Sequence, residues 1–344
     1  MAKVTPKENF MKLRHGGTPD YVPFYSLMGA PYKGESACGG IRLPFFTSTQ
    51  FVDGGKDIWG VPYKAPESGV QATMPDTSFV MLEDIADWTK VVKFPTPNDI
   101  DVEKVYQEAL KTFDRSQTAL KIGFDFSPFQ ELVAMMGFDG GLMALYTDPE
   151  EVKAMLNAMV DFMEPFYKKA FDVIRPDCWG IADDTAAAAT PFFSPEIYKD
   201  IFFPLYSRMS KIATEHDVPV VFHNCGKIEE FLPFMVEFGV EMTEPMQEVN
   251  DILKVKEQYK GKLSVMGCWG WGDHMPPDFP EFDEEAFRQD IRDSIDKYSV
   301  GGGYAFAGFP IGLPGQNEAV ARITEIMRDE VHTYGRKVYG YTGE

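Results

Sequence analysis

The 344-residue chain is poor in the residues that most often do chemistry: it has five histidines and four cysteines. The thiols, Cys38, Cys178, Cys225 and Cys268, are too few and too widely spaced for a secreted disulfide scaffold. They are expected to be reduced and free to bind metal. No apolar run is long enough to cross a bilayer, and no signal peptide is recognisable. Positive charge is also scarce, with 33 Lys and Arg against 53 Asp and Glu, for a net charge of −20. A field of that sign repels nucleic acid and anionic membrane alike. A Walker motif is absent, and the glycines Gly301-Gly302-Gly303 precede a strand pattern instead of following one, so they make no dinucleotide fingerprint. What these absences leave is a cytoplasmic enzyme acting on a small molecule.

Hydrophobic residues make up 44% of the chain, enough for a sizeable core. Strand and helix patterns alternate with no break in composition. Strands are predicted at Tyr21–Leu27, Thr118–Asp125, Cys178–Thr185, Val218–Phe222, Val240–Glu244, Leu263–Cys268 and Tyr304–Gly308. Between them lie helical spacings such as Pro149–Ala170, where Leu156, Met159, Val160 and Met163 form a core-facing stripe. Alternation of this kind predicts a single domain over residues 1–344, a (β/α)8 TIM-type barrel of the α/β class. Residues 30–80 read as a loop-rich lid or substrate segment, with Cys38 a free surface or half-buried thiol within it.

The chemistry gathers in His223-Asn224-Cys225-Gly226, directly after the apolar run Val218-Pro219-Val220-Val221-Phe222. Two residues apart on extended backbone, His223 and Cys225 point the same way. An imidazole and a thiolate converging at a strand end suit a soft divalent metal, most often zinc. If the next two strands are successive staves of one barrel, Glu244 and Cys268 emerge on the same rim, where such barrels place their active sites. His223, Cys225, Cys268 and Glu244 then make a plausible tetrahedral set. Asp183-Asp184 ends an earlier strand, and adjacent residues on extended backbone face opposite ways. One of the two caps a helix or binds loop amides, or one acts as proton donor or substrate orienter above the metal. His216, at the opposite end of the barrel, reads as structural. His274 is an alternative ligand, and Trp269-Gly270-Trp271-Gly272 reads as a loop, packed or covering the pocket.

These features together resemble the uroporphyrinogen decarboxylase-like superfamily, in its branch of zinc methyltransferases that work with corrinoid proteins. The His-x-Cys-Gly motif carries the resemblance, with Gly17-Thr18-Pro19-Asp20-Tyr21-Val22-Pro23, Asp57-Ile58-Trp59-Gly60-Val61, Thr147-Asp148-Pro149-Glu150-Glu151-Val152 and Gly301-Gly302-Gly303-Tyr304 in the same order. Two positions depart from the pattern. The Arg-rich N-terminal stretch of true uroporphyrinogen decarboxylases is reduced to Lys12-Leu13-Arg14-His15, which argues against that activity. The Cys that the methyltransferases carry at the end of the last strand is replaced by Ala307-Gly308-Phe309-Pro310, so Cys268 is expected to serve as the third ligand. The resemblance implies methyl transfer between a small substrate and the corrinoid (cobalamin) of a separate protein, since an Asp-x-His-x-x-Gly corrinoid motif is absent. O-demethylation of a methoxylated aromatic is the favoured reaction, supported by the 14% aromatic content. Glu244, Asp183 and Asp184 are the candidate catalytic residues. The alternatives are transfer from methyl-corrinoid to a thiol or tetrahydrofolate, a metal-free decarboxylase, and a non-catalytic binding protein.

Overall fold

A computed structural model of the protein describes residues 4–25, 36–41, 54–64, 74–94, 101–111, 113–124, 126–269, 282–308 and 317–343; the side chains of Cys268 and Asn317 lie outside the description. Seven parallel strands run in the order β1 (Cys38–Gly40), β5 (Ala119–Phe124), β6 (Cys178–Ala182), β7 (Val220–His223), β8 (Val240–Met246), β9 (Ser264–Trp269) and β10 (Tyr304–Gly308). Phe24 closes the ring. It forms a parallel bridge to Phe306 of β10, and on its other side its carbonyl accepts from Ala37, beside β1, at 3.1 Å. The result is a TIM-type α/β barrel with Pro23–Tyr25 as the eighth stave. Only this single bridge forms in the predicted strand Tyr21–Leu27, within the described residues.

Strand residues alternate between two packing environments, as a period of 2 requires. Leu120, Ile122, Trp179, Ile181, Val220, Phe222, Val265 and Phe306 face outward and pack beneath the helices. Ala119, Cys178, Val221, Met242, Met266 and Ala305 face the lumen, where small or slender side chains are needed to fill a narrow space. The helix Pro6–Met11, started by a capping box between Thr5 and Glu8, plugs the lower end with Phe10, which stacks on Tyr25. The stripe on the helix Pro149–Ile174 is wholly buried, as its spacing predicts.

The described residues of 30–80 include strands. β1 lies there, followed by a three-stranded antiparallel sheet of β2 (Gly55–Lys56), β3 (Pro62–Lys64) and β4 (Met74–Pro75). The expectation of a surface or half-buried Cys38 is corrected: the residue is 1% exposed, on the lumen face of β1, paired with Ala119. Its short strand, Cys-Gly-Gly, has too little apolar pattern to announce itself, and partner strand β5 supplies the stabilisation. Of the two readings of the Trp269–Gly272 run, Trp269 takes the packed one. It ends β9, packs on Phe287 and Phe306, and donates its indole N–H to Asp290 at 2.9 Å. His274 and Trp271 lie outside the described residues. Among the described residues no helix is long and apolar enough to cross a membrane.

Candidate metal centre

Three strands set the site through their register. Ala182 on β6, His223 on β7 and Glu244 on β8 are paired side by side at the upper, C-terminal end of the sheet. Each lies two residues beyond a lumen-facing position, so each faces the lumen. The chain leaves β7 through Asn224, which is fully buried and stitches two strand ends together. Its side chain accepts from the Thr185 N–H at 3.0 Å and donates to the Thr185 hydroxyl at 2.7 Å, while its own N–H reaches the Glu244 carbonyl.

Gly226 then turns the backbone at φ +87°, and a Cβ there would overlap the carbonyl oxygens of Ala186 and Ala187. Only glycine fits this approach. The turn returns Cys225 toward β6, where its N–H donates to Asp184 Oδ1 at 2.8 Å.

The consequence is a cluster of three different donors. Cys225 Sγ lies 3.6 Å from His223 Nε2, and His223 Nε2 lies 3.7 Å from Asp184 Oδ1. All three ligand atoms fall within 4.8 Å of one another, and the residues are half-buried. In a tetrahedral zinc site with bonds of about 2.0–2.3 Å, donors stand roughly 3.3–3.8 Å apart. The two separations from His223 Nε2 match that edge length. The charges match too: one thiolate and one carboxylate beside a neutral imidazole balance a divalent ion. The residues present fit zinc.

The two adjacent aspartates divide as their alternation predicts. Asp183 turns away from the lumen and is fully buried. Its carboxylate accepts from the backbone N–H groups of Phe129 at 2.7 Å and Gln130 at 3.1 Å, at the start of the helix Pro128–Met136, and from the Tyr206 hydroxyl at 2.8 Å. Burial pushes this carboxyl up to about 7, against the opposing pull of Phe129, Tyr206 and Gln130. It braces the helix and does not join the cluster. Asp184 does.

Glu244 stands beside His223 in register, but its carboxylate takes another partner. Oε1 accepts from Lys121 Nζ at 2.7 Å inside the barrel, and Oε2 is buried with no hydrogen-bond partner. Cys268 is on β9, one strand beyond β8 from His223, with its backbone opposite Ala307; its side chain lies outside the described residues. His216 lies at the lower end with its ring 4.9 Å from Phe171, in a packing role.

The family profile described as Uroporphyrinogen decarboxylase (URO-D) matches residues 60–328, well over half of the chain. The chain belongs to the uroporphyrinogen decarboxylase family. Within curated proteins it is similar to a Methylated-thiol--coenzyme M methyltransferase of Methanosarcina mazei, with 25% identity over 159 residues. That match spans 45% of this chain and 40% of the relative's length. A solved structure described as a methyltransferase from Methanosarcina mazei shares the fold, with a TM-score of 0.57 at 17% identity, over 96% of this chain and all of that one. The likeness of fold therefore extends along nearly the whole chain.

Sequence reasoning offered one of Asp183 and Asp184 as proton donor or substrate orienter, and did not name Asp184 as a donor to the cluster. It also passed over Asn224, which sits inside the motif, and Lys121. The signal for Lys121 was present: one charge in the otherwise apolar strand Ala119-Leu120-Lys121-Ile122-Gly123-Phe124.

Proposed function

We propose that this protein is a zinc-dependent methyltransferase that moves a methyl group between a small substrate and the corrinoid of a separate protein. The observation that carries the reading is the convergence of Asp184, His223 and Cys225, with the spacing and charge of a zinc site. These three would hold the metal, and Cys268, at the end of β9, is proposed as the ligand that completes the set. When bound, zinc supplies Lewis acidity to a methylated oxygen or sulfur, or holds a thiol as thiolate.

The chain's own residues do the rest. As metal ligands Cys225 and Asp184 would each place a negative charge at the mouth, and the 2.8 Å hydrogen bond from the Cys225 N–H to Asp184 holds both in place. Asn224 and Gly226 hold the loop to β6, so the thiol and the imidazole are preorganised. Gln130 Nε2 lies 3.4 Å from Asp184 Oδ2 and is available to steady that oxygen. A metal-free decarboxylase would need an uncommitted cation to grip its carboxylate. Lys121 is the lysine directed into the lumen among the described residues, and it is ion-paired to Glu244.

For the substrate we retain a methoxylated aromatic as the favoured donor, supported by Phe129, Phe138 and Phe192, which form an aromatic group near the upper ends of β5 and β6. A methylated thiol is the second reading, supported by the name of the Methanosarcina relative. The test is metal analysis of the purified protein, then incubation with Co(I) corrinoid protein and both donor classes while methyl-Co(III) formation is followed by absorbance. Stoichiometric zinc, lost in Cys225→Ala, with methyl-Co(III) formed from one class is expected. A zinc-free protein, or no transfer from either class, overturns the proposal.

A further inference from the structure

Beneath the metal cluster the lumen holds a charged group that the proposed chemistry does not use. Lys121 rises from β5 into the barrel, where Nζ donates to Glu244 Oε1 at 2.7 Å and to the Tyr25 hydroxyl at 2.6 Å. Its ammonium also lies 5.3 Å from the centroid of the Tyr25 ring. Tyr25 and Glu244 are each 2% exposed. The lysine side chain keeps 20% of its surface open, although it lies within a barrel. It therefore borders internal open space.

An ammonium has three N–H donors, and two are committed among the described residues. Glu244 carries the buried oxygen without a partner, Oε2. This unsatisfied donor and acceptor lie next to His223, because Glu244 is its register neighbour. Buried polar groups are nearly always paired in finished structures, so their combination below a metal centre points to a ligand that completes the set.

Charge decides which kind of ligand. Lys121 and Glu244 cancel one another, and Cys225, Asp184 and Cys268 as anionic ligands would more than balance a divalent ion. Among the described residues the lumen then has no spare positive charge, and a carboxylate would add an unpaired charge to a buried space at a cost of several kcal/mol. A neutral oxygen acceptor adds none.

We propose that Lys121 is the specificity-determining donor of this lumen: held by Glu244 and Tyr25, it hydrogen-bonds a neutral oxygen acceptor (hydroxyl, ether or carbonyl) on the substrate, below the atom that carries the methyl group. The inference rests on the mouth of the barrel being the substrate site, and it selects small neutral oxygenated molecules over carboxylates and over hydrocarbon-like analogues.

The experiment is calorimetric binding to the zinc-loaded full chain with matched probes: 2-methoxyphenol against methoxybenzene, 2-(methylthio)ethanol against ethyl methyl sulfide, and 2-methoxybenzoate as the anionic control. Lys121→Met removes the donor but leaves Glu244 buried and unpaired. Lys121→Met/Glu244→Leu removes it with charge neutrality kept and brings in no new donor. In the wild type, the oxygen-bearing member of at least one pair should bind about tenfold more tightly, the scale of one hydrogen bond to a charged group. The double variant should lose that preference while retaining its zinc content and its affinity for the deoxygenated member. A preference that survives in the double variant, none in the wild type, or tightest binding of 2-methoxybenzoate overturns the proposal. Methyl-Co(III) formation is scored separately. Transfer without discrimination sinks only the role of Lys121, and discrimination without transfer sinks only the methyl-transfer reading.

Discussion

Replacing Gly226 by Ala tests whether the site is built by backbone geometry. At φ +87° any residue with a Cβ is strained, by roughly 1–2 kcal/mol. The added methyl would also lie 2.6 Å from the Ala187 carbonyl oxygen and closer still to that of Ala186. Ordinary contact at about 3.5 Å requires the loop to retreat by roughly 1 Å. Retreat moves Cys225 relative to Asp184 and His223, whereas metal–ligand distances tolerate only about 0.2 Å.

Gly261→Ala is the internal control, because φ there is +75° and nothing lies within 4 Å of the added Cβ. It carries the strain without the collision. We expect Gly261→Ala to destabilise by about 1–2 kcal/mol with zinc content unchanged. Gly226→Ala should cost about 2–4 kcal/mol and most of the bound zinc. Thermal unfolding with and without chelator, alongside elemental analysis, reads both quantities. If Gly226→Ala loses no more stability than Gly261→Ala and keeps its zinc, the geometric argument for the motif is wrong.

Asp184→Asn keeps an oxygen to accept from Cys225 N–H but removes the negative charge, so zinc affinity should fall by about a hundredfold, in proportion to one ligand of four, with little change in the apo-protein's melting temperature; a competition titration with a chelator measures it. Asp183→Asn places an NH2 group against one of the amide or hydroxyl donors now received at 2.7–3.1 Å, and chemical denaturation should show a loss of about 2–4 kcal/mol. Burial pushes the Asp57 carboxyl from 3.8 up to about 6. Its ionised form is thus disfavoured in the folded state, and the resulting cost is absent below about pH 4 and complete above about pH 6. Asp57→Asn keeps the acceptor for the Trp59 and Val61 amides and should raise stability at pH 7.5 by up to about 3 kcal/mol. The gain should vanish near pH 4, and denaturation curves at the two pH values check the sign.

The chain's pattern announced its fold most clearly where local signals were dense. The strand Tyr304–Gly308 was read to its limits, and the strand ending in His223 was placed within two residues. The long helix from Pro149 was read from its start and runs four residues further, to Ile174. Its spacing could be seen without knowing its neighbours. β1 escaped because Cys-Gly-Gly has no pattern of its own and is a strand only by virtue of β5. The Tyr21–Leu27 run looked like a full strand, yet within the described residues it contributes only the bridge at Phe24.

The candidate site divides along the same line. His223 and Cys225 were legible because two residues on one extended segment share a direction, a property of local backbone. The split between Asp183 and Asp184 was also legible as a split, by the same alternation, but not which residue faced inward. That was decided by the register of β6 against β7 and by the turn at Gly226, which bring Asp184 to Cys225 from 41 positions away in sequence. Glu244 shows the limit most plainly: its rim position followed from strand order, whereas its bond to Lys121 spans 123 positions and crosses the lumen. Local covalent geometry thus determined the elements and the chemical kinds of donor. Only barrel closure, which places non-adjacent strands face to face, decided which of those donors meet.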